Sequence, residues 1–240
     1  MHLRFLGVGA AFAPEFGNTG AFFIRGDDLF LIDCGEQAFD KLMRSGVLPE
    51  CPGEVTVVLT HMHSDHCGSL GSLCLYVAER MGRQVTIVHP NEDVRELLAM
   101  MGVADNQYSL KSAYEAGGLR ISPMPTRHVP LIPAFSYLLE DEKGGVYYSG
   151  DTCELPPQVL YELRGGKIRH AYQEAMYLER PPEKGVPHLL YSDLLSMVEH
   201  PLRERMTLMH FNVDFRRLAQ RDGFQTAYMD PIFSDDREDV

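Results

Sequence analysis

His61, His63, Asp65 and His66 stand in the stretch Thr60-His61-Met62-His63-Ser64-Asp65-His66-Cys67-Gly68, directly after the apolar run Val55-Thr56-Val57-Val58-Leu59. Three imidazoles and a carboxylate so close together make poor core material, because each buried polar head needs a partner. Divalent transition metals favour this mixture of nitrogen and oxygen donors. In an extended segment His61 and His63 lie two apart, point the same way and reach one ion. Asp65 and His66 follow once the chain has turned, and suit a second ion better than the first. Two ions need more donors than these, since each takes about four ligands including solvent.

Three distant residues fit that need. His128 sits in Pro125-Thr126-Arg127-His128-Val129-Pro130, after an apolar run from Leu119 to Met124. Asp151 follows Gly145-Val146-Tyr147-Tyr148-Ser149-Gly150, and His210 closes Met206-Thr207-Leu208-Met209-His210. Singly, each reads as an ordinary strand-end or turn residue. Jointly they repeat one layout, a strand delivering a donor at its C-terminal end, where α/β folds place their sites.

The elements that must position these donors follow from periodicity. Strands are predicted at 3–7, 21–24, 29–33, 55–59, 85–88, 119–124, 135–140, 146–149 and 207–209, and helices near 36–45, 69–81, 92–101, 157–163, 192–200 and 214–220. Strand runs separated by helices imply a layered α/β fold. The 240 residues and 45% hydrophobic content suit a single domain spanning 1–240, with the acidic 234–240 read as a mobile tail.

With its motifs in place, the chain resembles the metallo-β-lactamase superfamily, and within it the ribonuclease Z-like branch. The anchors are His2-Leu3-Arg4-Phe5-Leu6-Gly7-Val8-Gly9, Leu31-Ile32-Asp33-Cys34-Gly35-Glu36-Gln37, the 61–66 cluster, His128, Ser149-Gly150-Asp151-Thr152 and His210. The resemblance implies a four-layer αβ/βα sandwich, two sheets facing each other with helices outside and metals along one edge. It further implies that His61, His63 and His128 hold one ion, that Asp65, His66 and His210 hold the other, and that Asp151 bridges both. Asp33 would brace the metal loops, although an Asp before Cys-Gly also suits a plain turn. Zinc is the default for so histidine-rich a set, with manganese or iron tolerated by the carboxylates.

The resemblance extends to Gln173-Glu174-Ala175-Met176 and Pro187-His188-Leu189-Leu190. Ribonuclease Z-like enzymes carry His-Glu-Ala-Thr and a downstream His-Ser-Thr here, whose Glu and His are thought to protonate the leaving group. Glu174, Ala175 and His188 match, whereas Gln173, Met176, Leu189 and Leu190 depart. Glu174 and His188 are therefore read either as a proton-donor pair or as structural residues.

The reaction implied is metal-dependent hydrolysis, with a metal-bridging hydroxide oriented by Asp65 attacking phosphorus. A small or cyclic nucleotide-type phosphodiester is the expected substrate. The tRNA-clamping arm of long ribonuclease Z is missing, since only 129–150 separate His128 from Asp151. Charge agrees: 22 Lys plus Arg against 34 Asp plus Glu leave a net −12, which disfavours a large nucleic acid. The only local basic grouping is Arg203, Arg205, Arg216, Arg217 and Arg221. Alternatives are an acyl hydrolase acting on lactones or thioesters, a tRNA 3′-end processing endonuclease and, last, a non-catalytic binding module.

The remaining features are quieter. Cysteines 34, 51, 67, 74 and 153 are odd in number and lack C-x-x-C, which points to free thiols in a reducing cytoplasm, with Cys67 and Cys153 near metal ligands in sequence. No apolar run approaches the roughly 18 residues of a membrane span, so no membrane partner and a cytoplasmic protein are expected. His2, His89, His170 and His200 read as structural, the stretch 97–101 as core or pocket wall, and Tyr147, Tyr148 and Tyr172 as candidates to face a substrate base. A homodimer is left open.

Overall fold

The computed structural model describes residues 1–180 and 185–233, so the acidic tail expected at 234–240 lies outside the described residues. The chain divides into two compact units. An N-terminal unit takes His2–Leu59, His63–Lys111 and the chain from Tyr228, and a C-terminal unit takes Thr60–Met62 and Ser112–Ala227 together with Met1.

The N-terminal unit carries a six-stranded sheet in sequential order: β1 (Arg4–Gly7), β2 (Gly20–Arg25), β3 (Asp28–Ile32), β4 (Val55–Val58), β5 (Val85–Val88) and β6 (Tyr108–Lys111). β1, β2 and β3 pair antiparallel, and β3 to β6 are parallel. Parallel neighbours need helical crossovers. These are α1 (Ala38–Arg44) between β3 and β4, α2 (Ser64–Cys67) and α3 (Leu70–Met81) between β4 and β5, and α4 (Val94–Met100) between β5 and β6. All of β4 is buried, as a strand with parallel neighbours on both sides requires. α3 buries Leu70, Gly71, Leu73, Cys74 and Val77, one apolar stripe at helical spacing.

The C-terminal unit carries seven strands in the order β13-β12-β11-β10-β9-β8-β7. These are β7 (Tyr114–Ala116), β8 (Leu119–Thr126), β9 (Ala134–Asp141), β10 (Gly144–Tyr148), β11 (Ile168–Glu174), β12 (Met206–Met209) and β13 (Gln225–Thr226). β7 to β10 form an antiparallel meander, and β10 to β13 are parallel. The crossovers are α5 (Pro157–Gly165), then α6 (Tyr191–Met197) with α7 (His200–Arg203), then α8 (Arg216–Arg221). Pro123 and Pro125 sit in β8 beyond Ile121, where β7 stops covering it, so their missing N–H groups interrupt no ladder on that side.

The nine predicted strands and six predicted helices are present, with ends shifted by a residue or two. Four strands were not expected: β6, β7, β11 and β13. The helix expected over 192–200 is two pieces, because Val198 is extended (φ −101°, ψ 116°) and stops α6. Tyr147 and Tyr148 are fully buried core side chains and Tyr172 is nearly so, which corrects their reading as open substrate-facing groups. Within 97–101 only Leu98 is core, while Met100 is 81% exposed. Among the described residues no helix is long and apolar enough to cross a membrane.

Candidate metal centre

In the C-terminal unit, donors converge on Asp151. The left-handed Gly150 (φ +58°) turns the chain out of β10, and a Cβ there would lie 2.9 Å from Thr60 Cβ and 3.0 Å from the Phe135 carbonyl. Asp151 is thereby held almost wholly buried. Its Oδ2 lies 3.9 Å from Nε2 of His61 and 3.9 Å from Nε2 of His128, and its Oδ1 lies 3.3 Å from Nε2 of His210. A separation of 3.9 Å exceeds hydrogen-bond reach. It stays below twice the roughly 2.0–2.1 Å of a metal–nitrogen or metal–oxygen bond, the upper limit for two ligands of one ion.

The other ring nitrogens carry the same message. Nδ1 of His61 is 3.0 Å from Thr60 Oγ1, and Nδ1 of His128 donates to the Pro187 carbonyl at 2.8 Å. Nδ1 of His210 is 3.5 Å from Glu174 Oε2. The carbonyl against His128 Nδ1 fixes its tautomer with the Nε2 lone pair available, the usual support of a metal-ligating histidine, and the oxygens near Nδ1 of His61 and His210 are compatible with the same tautomer. These donors fit a divalent ion.

Glu174 and His188 stand beside them. Glu174 is fully buried at the end of β11, where its Oε1 accepts the Thr152 N–H and its Oε2 accepts from Nδ1 of His188 at 2.8 Å. His188 Nδ1 is 3.9 Å from Asp151 Oδ2, and its ring lies 5.0 Å from that of His128 and 5.2 Å from that of His210. Burial works against a charged His188, but the Glu174 carboxylate, with Asp151 behind it, outweighs that and raises its pKa above the ordinary histidine value. His128, Asp151 and His188, and likewise Glu174, His188 and His210, bring ligand atoms within 4.8 Å of one another. The departures at Met176 and Leu189 fall where contact is main chain to main chain, Met176 N–H to Leu189 O at 2.8 Å. Side-chain identity is therefore free to vary there.

In the N-terminal unit, His63 is extended (φ −71°, ψ 151°) and Asp65 and His66 lie on the single turn of α2. The chain does turn between the two pairs of donors, by a helical turn. Nδ1 of His66 donates to Asp33 Oδ2 at 2.8 Å, and its Nε2 lies 3.2 Å from Asp65 Oδ2. Asp33 thus has the bracing contact that the resemblance implied. Gly35 fixes Asp65 from below: a Cβ there would lie 2.0 Å from the Asp65 carbonyl oxygen. The turn is stitched by the Cys34 N–H to the His66 carbonyl, 2.7 Å, and by Ser69 Oγ to the Gly35 carbonyl, 2.5 Å.

Asp33 (φ +65°) and His210 (φ +61°) are the only non-glycine residues with positive φ among the described residues. Both carry side chains of the candidate centre. Such backbone costs about 1–2 kcal/mol and persists where the surroundings over-determine it.

Other candidates find different places. No cysteine joins the donor groups that come within metal-binding reach among the described residues. Cys67 is buried, and burial pushes its thiol up to about 11. The basic grouping is largely absorbed: Arg203 caps the carbonyls of Val198, Asp222 and Leu195 at 2.9 Å each, Arg205 caps those of Arg169 and Ile168, and Arg216 pairs with Asp214 at 2.7 Å. His89 Nδ1 donates to the Leu59 carbonyl at 2.8 Å, and His170 Nε2 meets Thr207 Oγ1 at 2.8 Å. The Pro187 carbonyl, which supports His128, was missed because a carbonyl has no sequence signature.

Solved structures show the fold. The metallo-β-lactamase fold protein YhfI from Bacillus subtilis superposes with a TM-score of 0.72 at 16% identity, over 95% of each chain. Ribonuclease Z of Mycobacterium marinum is 25% identical over 69% of this chain and 67% of its own. An Anti-Pycsar protein Apyc1 from Paenibacillus harenae is 26% identical over 93% of this chain and 95% of its own. The family model described as Anti-Pycsar protein Apyc1 matches residues 1–229, and with the fold and donor groups above, the chain belongs to that family.

Proposed function

We propose that this protein is a binuclear metal-dependent phosphodiesterase acting on a small or cyclic nucleotide-type phosphodiester. His61, His63 and His128 would hold one divalent ion and Asp65, His66 and His210 the other, with Asp151 serving both. Zinc suits the nitrogen-rich set best. Bound there, the ions supply charge to clamp phosphoryl oxygens and to acidify a water.

The observation that carries the reading is the buried Asp151 faced by Nε2 of three imidazoles, each with an oxygen within 3.5 Å of its Nδ1. Asp65 orients the attacking water and takes up its proton. His188, held through Nδ1 by Glu174, presents Nε2 to the leaving oxygen and supplies a proton there. An alkoxide leaving group needs that proton and a thiolate does not, which favours phosphodiesters over thioesters.

A net charge of −12 and arginines spent on internal carbonyls favour a small substrate over a long polyanion. Five free cysteines suit a reducing cytoplasm. The test is hydrolysis of an aryl phosphodiester and of cyclic nucleotides by zinc- or manganese-loaded protein, with Asp65→Ala as background and a thioester and a lactone alongside. Turnover of the phosphodiesters alone is expected. Cleavage of only an acyl substrate would assign the acyl hydrolase instead.

A further inference from the structure

Two threonines that no part of the proposed chemistry uses are tied together beside the centre. Thr126 closes β8 two residues before His128, and the fully buried Thr152 follows Asp151. Their hydroxyl oxygens are 2.5 Å apart. Thr152 Oγ1 also accepts the Glu154 N–H at 3.1 Å and donates to the Glu154 carbonyl at 3.3 Å. With Thr126 as donor, the Thr152 hydroxyl has both lone pairs and its proton engaged.

The main chain of Thr152 is equally occupied. Its N–H goes to Glu174 Oε1, and its carbonyl accepts the N–H of Leu189, the residue after His188, at 2.8 Å. One residue away, the Cys153 N–H meets the Arg127 carbonyl at 2.8 Å. On its other side β8 is laddered to β9 as far as the Thr126–Ala134 pair, so the strand end is held toward β9. The hydroxyl pair adds a side-chain attachment toward the Asp151 turn just before His128 leaves the strand.

Resting on the metal-site reading above, we propose that the Thr126–Thr152 hydroxyl pair is a positioning device that sets His128 against Asp151. Thr152 extends the same hold to Glu174 and His188. A positioned ligand loses affinity when its support is removed, by about 10–100-fold for groups that orient metal ligands.

The test is a chelator-competition titration of zinc, which needs no turnover, on wild type, Thr126→Val, Thr126→Ser, Thr152→Val and the double valine variant, each with a thermal melt of the metal-free protein. Valine keeps the volume and removes the hydroxyl. Thr126→Val is expected to weaken one of two zinc sites about tenfold, Thr126→Ser to restore it within about threefold, and the double variant to be no weaker than the worse single one. Unchanged zinc affinity in Thr126→Val with wild type binding two ions overturns the device and leaves the metal-site reading standing. So does a serine variant as weak as the valine one, or a lowered melting temperature with both affinities intact. A wild type that binds no zinc removes both.

Discussion

Oε2 of Glu174 holds Nδ1 of His188 at 2.8 Å in a fully buried position, so the ring of His188 is oriented by a carboxylate whose other oxygen is tied to the backbone of Thr152. A histidine held this way keeps Nε2 pointed and charged when needed. This arrangement separates a proton donor from a metal ligand by experiment.

His188→Ala is expected to lower turnover of an alkyl phosphodiester by about 10²–10³-fold, within the range of general acid catalysis, while both metal ions stay bound. The deficit should shrink for a p-nitrophenyl ester, whose leaving group needs no proton. Kinetics with both esters, plus metal analysis, check this. Loss of an ion would make His188 a ligand.

Asp33→Asn keeps a residue that accepts the left-handed backbone but weakens the acceptor for His66 Nδ1. Zinc affinity should fall about 10–100-fold with little change in the melt of the metal-free protein. Asp33→Ala should lose the same affinity and a further ~1 kcal/mol of stability from the φ of +65°. Chelator titration and denaturant unfolding separate the two effects.

Arg4 grips Asp230 through two bonds, 2.6 and 3.1 Å, joining β1 to the chain after Tyr228 within the N-terminal unit. The Arg4 hydrogen bond holds the Asp230 carboxyl below its ordinary value. A depressed carboxylate pKa means stability present above the unfolded value of about 3.9 and lost as pH falls through the folded one. Asp230→Asn should therefore be less stable than wild type near pH 7, by about 1 kcal/mol or less for so exposed a pair. The gap should close below about pH 4. Urea unfolding at both pH values checks the sign.

Burial pushes the thiols of Cys34 and Cys74 up to about 12 and that of Cys67 up to about 11. Thiolate is the reactive form, so these three should resist a thiol reagent at pH 8 in the folded protein, and the half-buried Cys153 should react first. All five should react in denaturant. Mass mapping of labelled peptides over time decides it.

Much of the centre was legible because its chemistry is local: the 61–66 cluster, and single donors at the ends of β8, β10 and β12, each announced by an apolar run. β11 was not legible. Its sequence Ile-Arg-His-Ala-Tyr-Gln-Glu reads as polar, yet it sits between β10 and β12 with several of its polar side chains paired. Arg169 reaches Asp141 at 3.3 Å and His170 reaches Thr207 at 2.8 Å. Tertiary partners, invisible in a linear pattern, make such a strand acceptable. The threonine pair escaped for a related reason, since Thr126 and Thr152 stand 26 positions apart. For the Arg203 group the sequence showed the cluster but not that Arg203 and Arg205 spend their charge on carbonyls.

The left-handed backbone of His210 also bears on how this centre can change over generations. A replacement there must both donate to a metal and tolerate φ near +60°, a region in which Asn, Asp and His are enriched and most other side chains are penalised. Of those, Asp is the only alternative that coordinates strongly. Cys or Glu would bring donor atoms at a conformational cost of about 1–2 kcal/mol, so a shift toward a softer metal by single substitution is disfavoured here. Main-chain geometry would narrow the evolutionary routes open to the metal preference of the proposed centre, independently of the ligand chemistry itself.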